Sequence, residues 1–106
     1  MVKHSMHLDT VFQALSDSTR RDILERVATR EWSVGELVER YDMSFAAVSK
    51  HVAVLERAKL ITKRKEGRSY FVSLQSSTVK EADAYLERYR RMWEGRYRKL
   101  DSLMNN

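Results

Sequence analysis

Residues 42–58 read DMSFAAVSKHVAVLERA, and the fold turns on how this run is read. Val48, Val52 and Leu55 recur at helical spacing and predict one helix with an apolar stripe. Ser44 stands where its hydroxyl can accept from an unsatisfied N–H of the first turn, so the helix is expected to start there. Ser44, Phe45, Ser49 and Lys50 fall on the other side. A free face with hydroxyls, a lysine and His51 can sit in a DNA major groove and reach base edges and phosphates. Alone, the run favours an ordinary amphipathic helix with a solvated outer face. Its neighbours decide between the two.

Upstream, Ser33-Val34-Gly35-Glu36 is a capping box that opens a short helix with Val34, Leu37 and Val38 inward. That helix is expected to end near Tyr41 and Asp42. Asp42 is placed to take a left-handed conformation and reverse the chain, and Met43 to plug the core before Ser44. Short helix, tight turn and amphipathic helix make a helix-turn-helix. Downstream, residues 60–74 hold two β-prone runs around Glu66-Gly67-Arg68, with Gly67 supplying the positive φ of a hairpin. Tyr70, Val72 and Leu74 alternate, so one hairpin face is expected to be buried. Lys63, Arg64, Lys65 and Arg68 outweigh the single Glu66 there, and a basic hairpin after a helix-turn-helix reads as a wing.

Residues 1–7 read as a flexible arm, and residues 8–106 as the folded domain. Leu8, Val11, Phe12 and Leu15 mark a first helix. Asp17 caps a second, over residues 18–28, with Ile23, Leu24, Val27 and Ala28 inward. Arg20 and Arg21 occupy its first turn, the unfavourable end of the helix dipole for cations. A bound phosphate or a paired carboxylate would offset that. From about Ser77 to Met104 a last helix carries Val79, Ala82, Leu86, Tyr89, Trp93, Leu100 and Leu103 at alternating three- and four-residue steps. At ~1.5 Å per residue it extends about 40 Å, more than so small a domain can cover. A second copy across a two-fold axis is the economical cover for Tyr89 and Trp93.

The fold class is thus mainly α with a small β-hairpin, in the order α-α-α-α-β-β-α. The 106 residues carry a net charge of +5, which points to a polyanionic partner. The chain has no cysteine, no proline and three glycines, excluding disulfides and thiolate metal sites and suiting a helix-rich fold. No run is long and apolar enough for a membrane span or a signal peptide, so a cytoplasmic location is expected. His4 and His7, three apart, form no ligand set with the last helix; no metal or cofactor is expected. The three histidines make no acid–base pair or triad, so no enzyme is expected.

Residues 15–24 (LSDSTRRDIL), Met43-Ser44 through Ala47-Val48-Ser49-Lys50-His51, residues 54–61 (VLERAKLI) and residues 66–71 (EGRSYF) together resemble the ArsR-type winged-helix transcriptional repressors. The resemblance covers about residues 8–104. It implies a homodimer formed by the first and last helices, a recognition helix from Ser44, a wing around Gly67, and repression that a ligand relieves in many members. On that reading Ser44, Phe45, Ala46 and Ser49 read bases, and Lys50 and His51 work at the groove or phosphates. Lys63, Arg64, Lys65 and Arg68 form the wing contacts. Leu8, Val11 and Phe12 meet Leu86, Tyr89 and Trp93 in the dimer. A sequence-tolerant architectural or protein-interaction module on the same fold is the alternative.

Three departures stand out. The helix holding residues 33–39 lacks the cysteine motif of the metal-sensing members, and the last helix lacks histidine. Phe45 and Ala46 replace residues often polar and proline, favouring apolar contact with thymine methyls. Lys59 stands where a helix-ending glycine is common, so an irregular cap is expected.

Overall fold

A computed structural model describes residues 2–104, with side chains from His7 onward. The chain forms α1 (Val2–Ala14), α2 (Ser18–Thr29), β1 (Trp32–Ser33), α3 (Val34–Arg40), α4 (Phe45–Arg57), β2 (Ile61–Glu66), β3 (Ser69–Leu74) and α5 (Ser76–Met104). Val48, Val52 and Leu55 of α4 are buried, with Ile23 and Val27 of α2, Leu37 of α3, and Leu60, Ile61 and Val72 around them. Each such side chain contributes about 1.5–3 kcal/mol by leaving water. The stripe read from the sequence is therefore the axis of the core.

The sheet order is β1-β3-β2, all antiparallel. The two-residue strand β1 was not expected. It forms because Trp32 and Ser33 lie beside Val72 and Phe71, and so short a strand has no periodicity to read. Trp32 is buried and its indole N–H donates to the Arg26 carbonyl at 3.0 Å. Ser33 then caps α3: its hydroxyl accepts from Glu36 N at 3.0 Å, and the Glu36 carboxylate accepts from Ser33 N at 2.9 Å.

The helix-turn-helix closes differently from its sequence reading. Asp42 is not left-handed; among the described residues only Lys59 and Gly67 have positive φ. The chain leaves α3 through an extended Tyr41, φ −122° and ψ 147°. Met43 is 36% exposed and plugs nothing. Tyr41 packs against the core instead. Its hydroxyl donates to the Asp22 carboxylate, and Arg26 Nε donates to both, at 2.9 Å and 3.2 Å. This triad pins the end of α3 to α2. Burial, then the neighbouring carboxylate, pushes the Tyr41 hydroxyl up to about 12. The Tyr41 hydrogen bond, then that of Arg26, holds Asp22 below the usual carboxylate range.

The C-terminus of α4 is a regular Schellman motif, not an irregular cap. Leu60 N donates to Leu55 O at 3.0 Å and Lys59 N to Glu56 O at 2.9 Å, with Lys59 at φ 61°. A lysine pays the left-handed strain that glycine avoids, at roughly 1–2 kcal/mol, partly offset by glycine's greater unfolded-state entropy. Lys59→Gly is therefore expected to raise stability by about 0.5–1 kcal/mol, read from a urea denaturation midpoint; an unchanged or lower midpoint would contradict it.

At the other end, α1 begins at Val2, not Leu8, so residues 2–7 are drawn into the helix rather than forming a separate arm. Neither glycine nor proline interrupts this stretch, so the helix propagates back from its packed end. Val11 and Ala14 of α1 lie in the core. Helix α5 enters the core through Thr78 and Ala82 and then leaves it, giving the molecule extents of 65 × 32 × 20 Å.

Candidate nucleic-acid interface

The N-terminus of α4 is set by Ser44, whose hydroxyl accepts from Ala47 N at 3.1 Å. Its side chain is thus engaged in the cap at the point where the sequence reading gave it a base contact. Phe45 is 59% exposed, a large apolar side chain held out from the first turn. Ala46 and Lys50 are exposed and Ser49 is half-buried. At about 100° per residue, Ala46, Ser49, Lys50, Ala53 and Arg57 share one face of the helix. Ala53 and Arg57 were missed in the sequence reading, although the same spacing that found the apolar stripe also places them. Arg57 is exposed in the last turn.

His51 departs from its sequence reading. It lies off that face, with Nδ1 3.3 Å from Arg20 Nη1 and 3.7 Å from Asp17 Oδ2. Its ring joins α4 to the start of α2 and is only partly exposed. Asp17 caps α2, accepting from Arg20 N at 3.1 Å. That backbone bond first, and the His51 and Arg20 charges after it, hold the Asp17 carboxyl below the usual range.

Arg20 lies near the Asp17 carboxylate, but the hydrogen bonds of Arg20 and Arg21 go largely to backbone carbonyls. Arg20 Nε donates to Ala14 O at 2.6 Å and Nη2 to Gln13 O at 3.2 Å, while Arg21 Nη1 donates to Leu15 O at 2.8 Å. Both guanidiniums donate to backbone carbonyls where α1 ends, the end of a helix that favours cations. The misplacement at the start of α2 is a capping device for the preceding helix, visible only once the two helices are set end to side.

In the wing, β2 pairs with β3 over six residue pairs, and Gly67 takes φ 62° at the tip. Arg64 does not project freely. It bridges Glu31, with Nη2 to Oε1 at 2.7 Å, pairs with Glu66, and lies 4.9 Å from the Phe71 ring centroid. Those two carboxylates, Glu31 first, hold its charge firmly. Glu31 also accepts from Ser73 at 2.8 Å, so this network ties the wing to the start of β1. On the opposite face, Lys63 lies 3.8 Å from Glu56 and 5.0 Å from the Tyr70 ring, and Lys65 lies 5.9 Å from that ring. Among the described residues Lys65 and Arg68 face no carboxylate partner, and both are exposed.

A second surface accompanies this one. Leu86, Tyr89, Met92, Trp93, Tyr97, Leu100 and Leu103 of α5 are all exposed, Trp93 to 67%. They continue the face that Thr78 and Ala82 bury in the core, past the point where the domain ends. Gly95, two residues from Trp93 and about 200° around the helix, faces away from the stripe. On α1, Leu8 and Phe12 are half-buried, Phe12 lying 6.0 Å from Tyr85. Val11 is 1% exposed within its own subunit and has no surface left for a partner, which corrects its place in the expected interface.

A helix-turn-helix domain family matches residues 15–64. The transcriptional activator HlyU of Vibrio cholerae is 36% identical over 88 residues, 83% of this chain and 82% of the relative. The regulator KmtR of Mycobacterium tuberculosis is 38% identical over 71 residues, 67% of this chain, and the match spans 55% of KmtR. A crystal structure of an ArsR family transcriptional regulator superposes with a TM-score of 0.79 at 31% identity, covering 85% of this chain and 93% of the other. The chain belongs to the ArsR family. It is, accordingly, a DNA-binding regulator of transcription on a winged helix-turn-helix fold. As an ArsR protein it carries no thiol, and among its described residues no three His, Asp or Glu side chains gather at a metal-binding distance. No helix among them is long and apolar enough to cross a membrane. His7 hydrogen-bonds Glu81 at 3.1 Å, while the His4 side chain lies outside the described residues.

Proposed function

We propose that the protein is a homodimeric cytoplasmic repressor, without enzymatic activity, that binds an imperfect inverted repeat. The observation that carries this reading is the pair of unoccupied surfaces: the free face of α4 and the exposed apolar stripe of α5. Two copies joined along α5 present two α4 helices related by a two-fold axis. Such an arrangement fits half-sites about one helical turn, or ~10 bp multiples, apart. Phe45 and Ala46 supply apolar contact with thymine methyls, and Ser49 and Lys50 supply polar contacts. Residues 8–106 act as the DNA-binding and dimerising unit. A small-molecule or protein effector would release the operator.

Footprinting of the upstream region together with mass determination of the complex tests this. Protection without two-fold symmetry, or one subunit per site, would overturn it. Equal affinity for promoter and random duplexes would favour the architectural reading. Lys50→Ala is expected to cost ~1–3 kcal/mol on the specific site if Lys50 contacts a base. An equal loss on random DNA would make it a phosphate contact.

A further inference from the structure

We propose that the cleft between α1 and the first turns of α5 binds a small anion bearing a carboxylate or phosphate group. Its volume is about 860 Å³, and Lys59, Thr78, Glu81, Tyr85 and Arg88 are among the side chains that line it, with His7 on the α1 side. Three independent features converge there. The 29-residue helix α5 starts at this cleft, and among the described residues no side chain accepts from the N–H groups of its first turn. Those groups and the helix dipole favour negative charge.

The second feature is Thr78. It is only 4% exposed and lines the cleft. Among the described residues, its hydroxyl has no hydrogen-bond partner, while every fully buried side-chain polar atom has one. The hydroxyl is therefore the part of Thr78 that opens into the cleft. Open to the cleft and without a protein partner, the hydroxyl is free to donate to a ligand oxygen. The third feature is charge. Lys59 and Arg88 pair with no carboxylate among the described residues; Arg88 lies 5.8 Å from the Tyr85 ring. Among the lining residues the one carboxylate is Glu81, which is paired to His7 at 3.1 Å; the Asp9 carboxylate also lies near Tyr85.

DNA phosphate is a poor candidate for the occupant. The cleft is lined by α1, α5 and Lys59, which follows the C-terminal end of α4, and by no residue of the free face of α4 or of the wing tip. The occupant fits instead as the effector, and this part of the inference rests on the regulator reading above. A ligand here would touch both the residue that ends α4 and the helix that carries the apolar stripe.

The test is a titration of the full chain with inorganic phosphate, and separately with acetate, followed by amide NMR at constant ionic strength held with chloride. Saturable shifts are expected at Ser76, Ser77 and Thr78. Thr78→Val and Arg88→Gln should each weaken binding about tenfold. Glu81→Gln, which changes only an exposed ion pair, should strengthen it several-fold. Preference for phosphate or for acetate identifies the ligand class. Shifts that do not saturate, that fall on Phe45 to Lys50, or that ignore Thr78→Val and Glu81→Gln would overturn the proposal. Operator binding measured on the same proteins separates the two readings: intact operator binding without anion binding removes this inference alone, and the reverse removes the regulator reading.

Discussion

Trp93→Ala is expected to leave the fold of each subunit intact and to raise the dimer dissociation constant by about a thousandfold. Trp93 is 67% exposed in the single subunit, so its removal takes nothing from the core. In the proposed dimer it is buried twice. At about 2 kcal/mol per copy, the low end for a buried interface anchor, the two copies give ~4 kcal/mol, close to three powers of ten. Operator affinity should fall at concentrations where the variant is monomeric and recover as the concentration rises. Sedimentation velocity and DNA binding over the same dilution series check both statements. A variant that remains dimeric at nanomolar concentration and binds normally would move the seam away from this stripe.

The second large effect lies in the wing. Replacing Lys65 and Arg68 by Ala in each subunit removes four charges from the proposed dimer. At about 0.9 per phosphate contact, the slope of log affinity against log salt should flatten by roughly 3–4. Affinity should fall on every duplex, specific or random, because these residues offer charge and not base readout. Arg64→Ala is the informative control. Glu31 and Glu66 already neutralise Arg64, so its loss should loosen the tie between β2 and the start of β1 while the salt slope holds. If Arg64→Ala flattens the slope as much as the Lys65 and Arg68 pair does, Arg64 leaves its carboxylates on binding DNA. An unchanged slope in the double variant would exclude the wing contacts.

These expectations differ from those available before the structure, and the differences have a common origin. Periodicity located α4, its buried residues and its cap at Ser44, because helix burial and first-turn capping depend on neighbours within four residues. The capping box at Ser33 and the hairpin turn at Gly67 were legible for the same reason. The family pattern was legible too, being a set of such local features in a fixed order.

What the sequence could not supply was the identity of each charge's partner. Arg64 and Lys65 are adjacent and alike in the sequence, yet alternate faces of β2 give one two carboxylates and the other an aromatic ring and solvent. His51 and Lys50 are adjacent on α4, yet only His51 meets α2. Arg20 sits at the wrong end of its own helix and the right end of the previous one. Phe12 and Val11 stand side by side, and packing buries only Val11 fully. Local spacing therefore determined the helices from α2 onward, the hairpin, the caps at Ser33 and Ser44, and the apolar stripe of α5. Which cations stay free for a polyanion, and which apolar residues already belong to the core, was decided only by tertiary packing, because both depend on groups far away in the chain, 33 positions in the Arg64–Glu31 pair and 74 in the His7–Glu81 pair.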